Sequence, residues 1–311
     1  MSIMPNQKCL SRRGITLIEL LVVMSIIALL IALLFPAIQR VRAAADLIHC
    51  SNNMRQVGVA LHHYHLDMGR FPPARVLGPY PEMGVLTNIE HGWAYFLLPY
   101  VEQDRLFRHY DFQLDWRHPN HAPIRETSLN VLLCPSAERR DLDRFTDIYS
   151  WQAAPCDYTT IMRIEDALND SQLIERVNDL RGILNSNEQT PMRDIYDGMT
   201  HTLLIVECAG RPHLYRMGKF VPGTRVRGAG WADARNAFSI QGSQFDGTSG
   251  SGPCAMNCTN DREIYSFHPF GANFLFADGS VRFLPKRLPM MILAKLVTRN
   301  GGEIPPDLDA E

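Results

Sequence analysis

The chain has 311 residues, with 31 Lys and Arg against 33 Asp and Glu and a formal charge of -2. That near balance excludes a surface built to coat nucleic acid and leaves no acidic tail. Apolar residues make up 46% of the sequence, ordinary for a folded protein and too few for a transporter with many spans.

The first element is N-terminal. Lys8, Arg12 and Arg13 form a short basic start, and between residues 15 and 35 only Thr16, Glu19 and Ser25 are not plainly apolar. A helix of about 20 residues crosses a hydrocarbon core roughly 30 Å thick, so one transmembrane segment is expected over about 15–36. The basic start favours a cytoplasmic N-terminus and places the rest of the chain beyond the membrane, although Arg40 and Arg42 pull the other way. Glu19 stands out: a carboxylate at such depth costs on the order of 2.5–3.5 kcal/mol on insertion scales and marks a functional residue by default. The competing reading is an ordinary signal peptide cut after Ala43-Ala44-Ala45.

The helical pattern continues past Pro36. Ile38, Val41, Ala45 and Ile48 recur at helical spacing, and after a slip near Cys50 the pattern resumes with Met54, Val57, Leu61, Tyr64 and Met68. Gly69 and Phe71-Pro72-Pro73 stop it. The helix is therefore expected over 15–68, its first half in a membrane or fibre core and its second half packed on a head. His62 and His65 share a helix face, which suits histidines bonded to the head better than a metal site lacking a third ligand.

Residues 69–311 read as short apolar runs broken by Pro, Gly, Asn and Asp. Strands are expected at 131–134, 202–207, 272–277 and 281–284, and short helices at 171–180 and 289–296. The fold class that follows is α+β: a long hydrophobic helix packed on a single mostly-β, antiparallel head. Asp278-Gly279 between two alternating runs predicts a two-residue type I′ hairpin. His268 lies ten positions before Asp278 and is expected to cap or brace that hairpin. His268, Asp278 and Glu207 could also serve as acid–base groups, but no nucleophile elbow, HExxH, P-loop or dinucleotide fingerprint accompanies them, and the chain is read as a non-enzyme. Asp233, Asp246 and Asp261 lie in a Gly/Ser/Asn-rich region and are weak calcium candidates without EF-hand spacing; no other cofactor or metal is expected.

Two sets of residues carry a family resemblance. Arg12-Arg13-Gly14-Ile15-Thr16-Leu17-Ile18-Glu19-Leu20-Leu21 resembles the prepilin leader of type IV pilins and type II secretion pseudopilins. That resemblance implies a leader over 1–14, cleavage after Gly14 by a prepilin peptidase, N-methylation of Ile15 where the family usually has Phe, and pairing of Glu19 with the N-terminal amine of a neighbouring subunit. Pro36 falls where many pilins carry a helix-kinking proline. The His268-x9-Asp278-Gly279 spacing is similar to the H-X9-DG motif of the DUF1559 proteins. So are Cys50-Ser51-Asn52-Asn53, Phe71-Pro72-Pro73, Leu97-Leu98-Pro99-Tyr100-Val101-Glu102-Gln103, Leu133-Cys134-Pro135-Ser136 and Glu207. Thr200-His201-Thr202 departs from that family's usual Thr-Ser-Asn-Thr.

Loss of the leader would remove Cys9 and leave six cysteines, of which Cys254 and Cys258 suit a local disulfide. Their spacing also falls in the zinc range, but no second pair is near in sequence. The expected function is a pilin-like structural or interaction subunit in the inner membrane, single-pass, with a periplasmic head that can be drawn into a secretion or pilus-like fibre. Its expected partners are the prepilin peptidase, other pilin-like subunits and inner-membrane lipid, with no nucleic acid. The alternative is an exported binding module for glycans or another surface ligand, with Trp93, Trp116, Trp151 and Trp231 as stacking platforms.

Overall fold

The computed structural model describes residues 16–138, 140, 142–145, 151–248 and 250–302. A single long helix, α1, runs Leu17–Met68 with Pro36 inside it. Its start is fixed by a reciprocal capping box. Glu19 Oε2 accepts the Thr16 backbone N–H and hydroxyl, each at 2.8 Å, and Thr16 Oγ accepts the Glu19 N–H at 3.3 Å. The chain divides between Ala45 and Asp46 into two compact units. In the first, every described residue is exposed, and an 18-residue window of the helix is long and apolar enough to cross a membrane.

The second unit begins at Asp46, so it holds the stretch of α1 from Asp46 to Met68. Cys50, Met54, Val57, Leu61 and Tyr64 are buried there, which is the expected face, whereas Ile48 and Met68 remain exposed. The centre of the unit is an antiparallel sheet of β1 (Tyr158–Thr159), β2 (Leu203–Glu207), β3 (Gly271–Phe276) and β4 (Val281–Pro285), in the order β4-β3-β2-β1. Because side chains alternate along a strand, β3 divides its residues between two cores. Leu275 joins Met54, Val57 and Leu61 of α1 in one cluster. Ala272, Phe274 and Phe276 join Leu293 and Leu296 of α2 (Met290–Val297) in the other. Burial on both faces explains why β2 and β3 are almost continuously apolar.

Around this sheet lie two-stranded ribbons. Three are antiparallel, and Ile161–Ile164 with Phe238–Ile240 is parallel, an exception to the antiparallel expectation. Residues 131–134 do not form a strand: Asn130–Leu132 is a turn of 3-10 helix. The helix expected at 171–180 is also absent, its place taken by a short helix over Asp166–Asn169 followed by turns. The four tryptophans are all buried. Trp93 Nε1 donates to Asn236 Oδ1 at 2.8 Å and Trp231 Nε1 to the Thr127 carbonyl at 3.0 Å; these rings are core, with no face offered to a sugar.

The β3–β4 hairpin differs from the expected type I′ turn. Its loop is Ala277-Asp278-Gly279, closed by Gly279 N–H to the Phe276 carbonyl at 3.0 Å and Phe276 N–H to the Ser280 carbonyl at 2.9 Å. Gly279, at φ 84°, is its one left-handed residue, the arrangement of a type I turn followed by a bulge glycine. Asp278 Oδ1 accepts the Ser280 N–H at 2.9 Å, so the aspartate is a turn-former.

Candidate metal centre

His268 stands at the start of β3, and Asp278-Gly279 lies past its other end. The histidine cannot brace the turn, contrary to expectation. Its ring points instead into the core beneath α1. Nε2 lies 3.7 Å from Cys134 Sγ and 3.4 Å from Glu207 Oε1, and Nδ1 lies 3.3 Å from Ser136 Oγ. The residue that packs on the turn is His62, whose Nε2 would lie 3.6 Å from a Cβ placed on Gly279.

Four elements deliver the cluster. Cys50 comes from α1, Cys134 from the loop after the 3-10 turn, Glu207 from the last position of β2, and His268 from the segment leading into β3. All four are buried, and one ligand atom from each lies within 4.8 Å of the others. Cys134 and Glu207 are held from behind. The Cys134 N–H donates to Asp157 Oδ2 at 2.9 Å. Asp157 Oδ1 in turn accepts the Gly210 N–H at 3.0 Å and pairs with Arg140 at 2.6 Å. Glu207 receives the Asn273 backbone N–H at 2.9 Å on Oε2 and the Asn273 amide at 3.3 Å on Oε1.

Packing two thiols, an imidazole and a carboxylate together perturbs them. Contact with Cys50, reinforced by burial, holds the Cys134 thiol well above its ordinary range. Burial lowers the His268 imidazole, but its bonds to Cys134 and Glu207 outweigh that and raise it to about 10. The arrangement can hold a cation through soft and hard donors together, or a bond between the two sulfurs. A hydroxyl, that of Ser136, also stands beside the imidazole, 3.3 Å from Nδ1.

Of the residues singled out from sequence, Glu207 and His268 meet here; Asp278 does not. Asp233, Asp246 and Asp261 do not join one another in a group of such side chains: among the described residues the cluster around Cys50 is the one group of three or more within coordinating reach. Asp233 is buried and accepts the Arg235 N–H at 2.8 Å, and Asp246 closes a turn through Thr248 at 2.7 and 2.8 Å. Asp261 lies in a third loop beside Arg262. His65 Nε2 accepts the Met192 N–H at 3.4 Å. Cys254 and Cys258 are joined by a disulfide, their Cα atoms 6.4 Å apart. Gly14 and Ile15 lie outside the described residues. Sequence reasoning missed Cys50 and Cys134 as partners of His268. Both stand in runs that carry the family resemblance, but the four positions are far apart in the chain and only folding joins them.

An apolar N-terminal helix that begins at a Thr16–Glu19 box and ends in a β-rich head defines a pilin-like chain, fit to be anchored in a membrane. Residues 9–35 match the prokaryotic N-terminal methylation motif. Residues 39–290 match the family described as a protein of unknown function, DUF1559, and the chain belongs to that family. No curated protein and no solved structure matches it.

Proposed function

We propose that the protein is a non-enzymatic, pilin-like subunit of the inner membrane. A prepilin peptidase removes residues 1–14, Ile15 becomes the methylated N-terminus, and α1 then anchors a head held on the periplasmic side. Packing of α1 against other pilin-like subunits draws it into a short fibre of the type II secretion or type IV pilus kind. The observation that carries this reading is the coincidence of the methylation motif over residues 9–35 with a helix whose apolar stretch is exposed along its whole described length. Such a stretch needs lipid or like helices around it, since a soluble monomer rarely exposes so large an apolar surface.

The test is intact mass and N-terminal sequencing of the membrane-extracted protein beside a Gly14→Ala variant. A mature chain beginning at Ile15, uncut in the variant, supports the reading. A chain beginning at Asp46, or an uncut wild type, removes it.

A further inference from the structure

We propose that Cys50, Cys134, Glu207 and His268 bind one divalent metal ion of zinc's class, in a closed four-ligand site that fastens α1 to the head.

The spacing of the ligand atoms is the first argument. Metal–ligand bonds of about 2.0–2.3 Å at tetrahedral angles place neighbouring ligand atoms roughly 3.3–3.8 Å apart. The two separations from His268 Nε2, 3.4 Å to Glu207 Oε1 and 3.7 Å to Cys134 Sγ, are edges of that size, and all four atoms fall within 4.8 Å. Ordering one ion at their centre requires only small side-chain adjustment.

Donor chemistry selects the metal. Two sulfurs and an imidazole suit zinc or a similar borderline ion, whereas calcium and magnesium call for oxygen. The carboxylate completes the four. With every position taken by protein and every ligand buried, nothing is left open for substrate, which marks a structural site.

The surroundings have the construction of a metal site. A ligating histidine commonly fixes its other ring nitrogen, and a ligating carboxylate is commonly hydrogen-bonded in turn. Here Ser136 lies against His268 Nδ1, and Asn273 gives two N–H donors to Glu207. A surface cavity of about 640 Å³, lined by Tyr265, Lys286 and Arg287 among others, reaches His268. On binding, the two thiol protons and any proton on the imidazole leave to solvent, so uptake weakens as pH falls.

The consequence of the site is mechanical. It ties one turn of α1 to three head segments that are distant in sequence, so a pull on the helix is shared by the loop at Cys134, the end of β2 and the lead-in to β3. Leader processing plays no part in this, and either reading can fail alone.

The test uses the full chain, extracted in detergent without a polyhistidine tag or chelator. Elemental analysis is expected to find about one zinc per chain, lost to background in Cys134→Ser and His268→Ala and kept in Cys156→Ser. Because the first two variants can misfold, cobalt exchange into the wild type is the independent measurement. Thiolate-to-cobalt charge transfer with intense tetrahedral visible bands supports the site. Peptide mapping after alkylation, denatured and unreduced, should show Cys50 and Cys134 as free thiols once the metal is chelated. A Cys50–Cys134 disulfide, a wild type that takes up no metal, or cobalt bound without thiolate bands would each overturn the proposal.

Discussion

Gly58 of α1 and Leu275 of β3 meet so closely that a methyl group on the glycine would stand 2.8 Å from Leu275 Cδ1. The glycine lets the helix sit down on the sheet just beyond Cys50. Gly58→Ala should therefore lose stability even though alanine favours a helix by about 1 kcal/mol: overpacking a full core costs about 1–3 kcal/mol, and Leu275 is fully buried. A net loss of about 1 kcal/mol in denaturant unfolding is expected. Shortening the partner with Leu275→Val should recover part of it, so the double-mutant cycle should show favourable coupling. Additive losses would mean the contact is not what keeps the glycine.

At the far end of β3, Gly279→Ala should cost about 1–2 kcal/mol, the penalty for a left-handed alanine. Space is not the cause, since the new methyl would make an ordinary 3.6 Å contact with His62. Gly279→Asn, which tolerates positive φ, should lose less. Thermal unfolding of the two variants separates backbone strain from crowding, because crowding would rank asparagine worse.

Asp157 holds the Cys134 loop from below and pairs with buried Arg140. Asp157→Ala strands that guanidinium and two backbone N–H groups, and a loss of about 3–5 kcal/mol is expected. Asp157→Asn keeps an acceptor and should fall between. Unfolding curves for both, read beside metal content, would show whether the loop must be fixed for Cys134 to hold an ion.

Burial pushes the Asp233 carboxyl up to about 6, only partly offset by the Arg235 N–H and guanidinium. The folded chain thus holds this proton more tightly than the unfolded one, whose aspartates titrate near 3.9. Between about pH 4 and pH 6 its contribution falls as pH rises, by up to roughly 3 kcal/mol, and the loss persists above that window. Asp233→Asn should flatten this part of the stability profile. A wild-type-minus-variant difference that does not slope downward across pH 4–6 would contradict the assignment.

Much of the fold was legible because local chemistry and tertiary role coincide. The 3.6-residue rhythm of Met54, Val57, Leu61 and Tyr64 named the buried face of α1, and β2, β3, β4 and α2 fell near their expected places. Failures came where a local signal had two structural answers. Val131-Leu132-Leu133 is apolar enough for a strand, yet its place in the core is reached by a 3-10 turn that delivers Cys134. Asp278-Gly279 announces a hairpin, but which of two turn types forms depends on how Phe276 registers against Ser280. The cluster around His268 was marked in the sequence at Glu207 and His268, with no sign that Cys50 and Cys134 join them. Its ligands come from a helix, a loop, a strand end and a hairpin lead-in, and no spacing rule covers donors gathered by tertiary folding alone.

The Thr16–Glu19 box bears on how a subunit could leave an assembly as well as join one. A cut after Gly14 would create an ammonium one residue ahead of the helix cap, at the end where the peptide dipoles already gather positive charge. Glu19 supplies the compensating negative charge in the same turn, so a lone subunit carries a neutralised end. An amine arriving from another chain would find Oε2 already held by Thr16. Association would then exchange one set of donors for another, with less gain than a fresh ion pair. A departing subunit would close its own cap again, which keeps such a junction easy to undo.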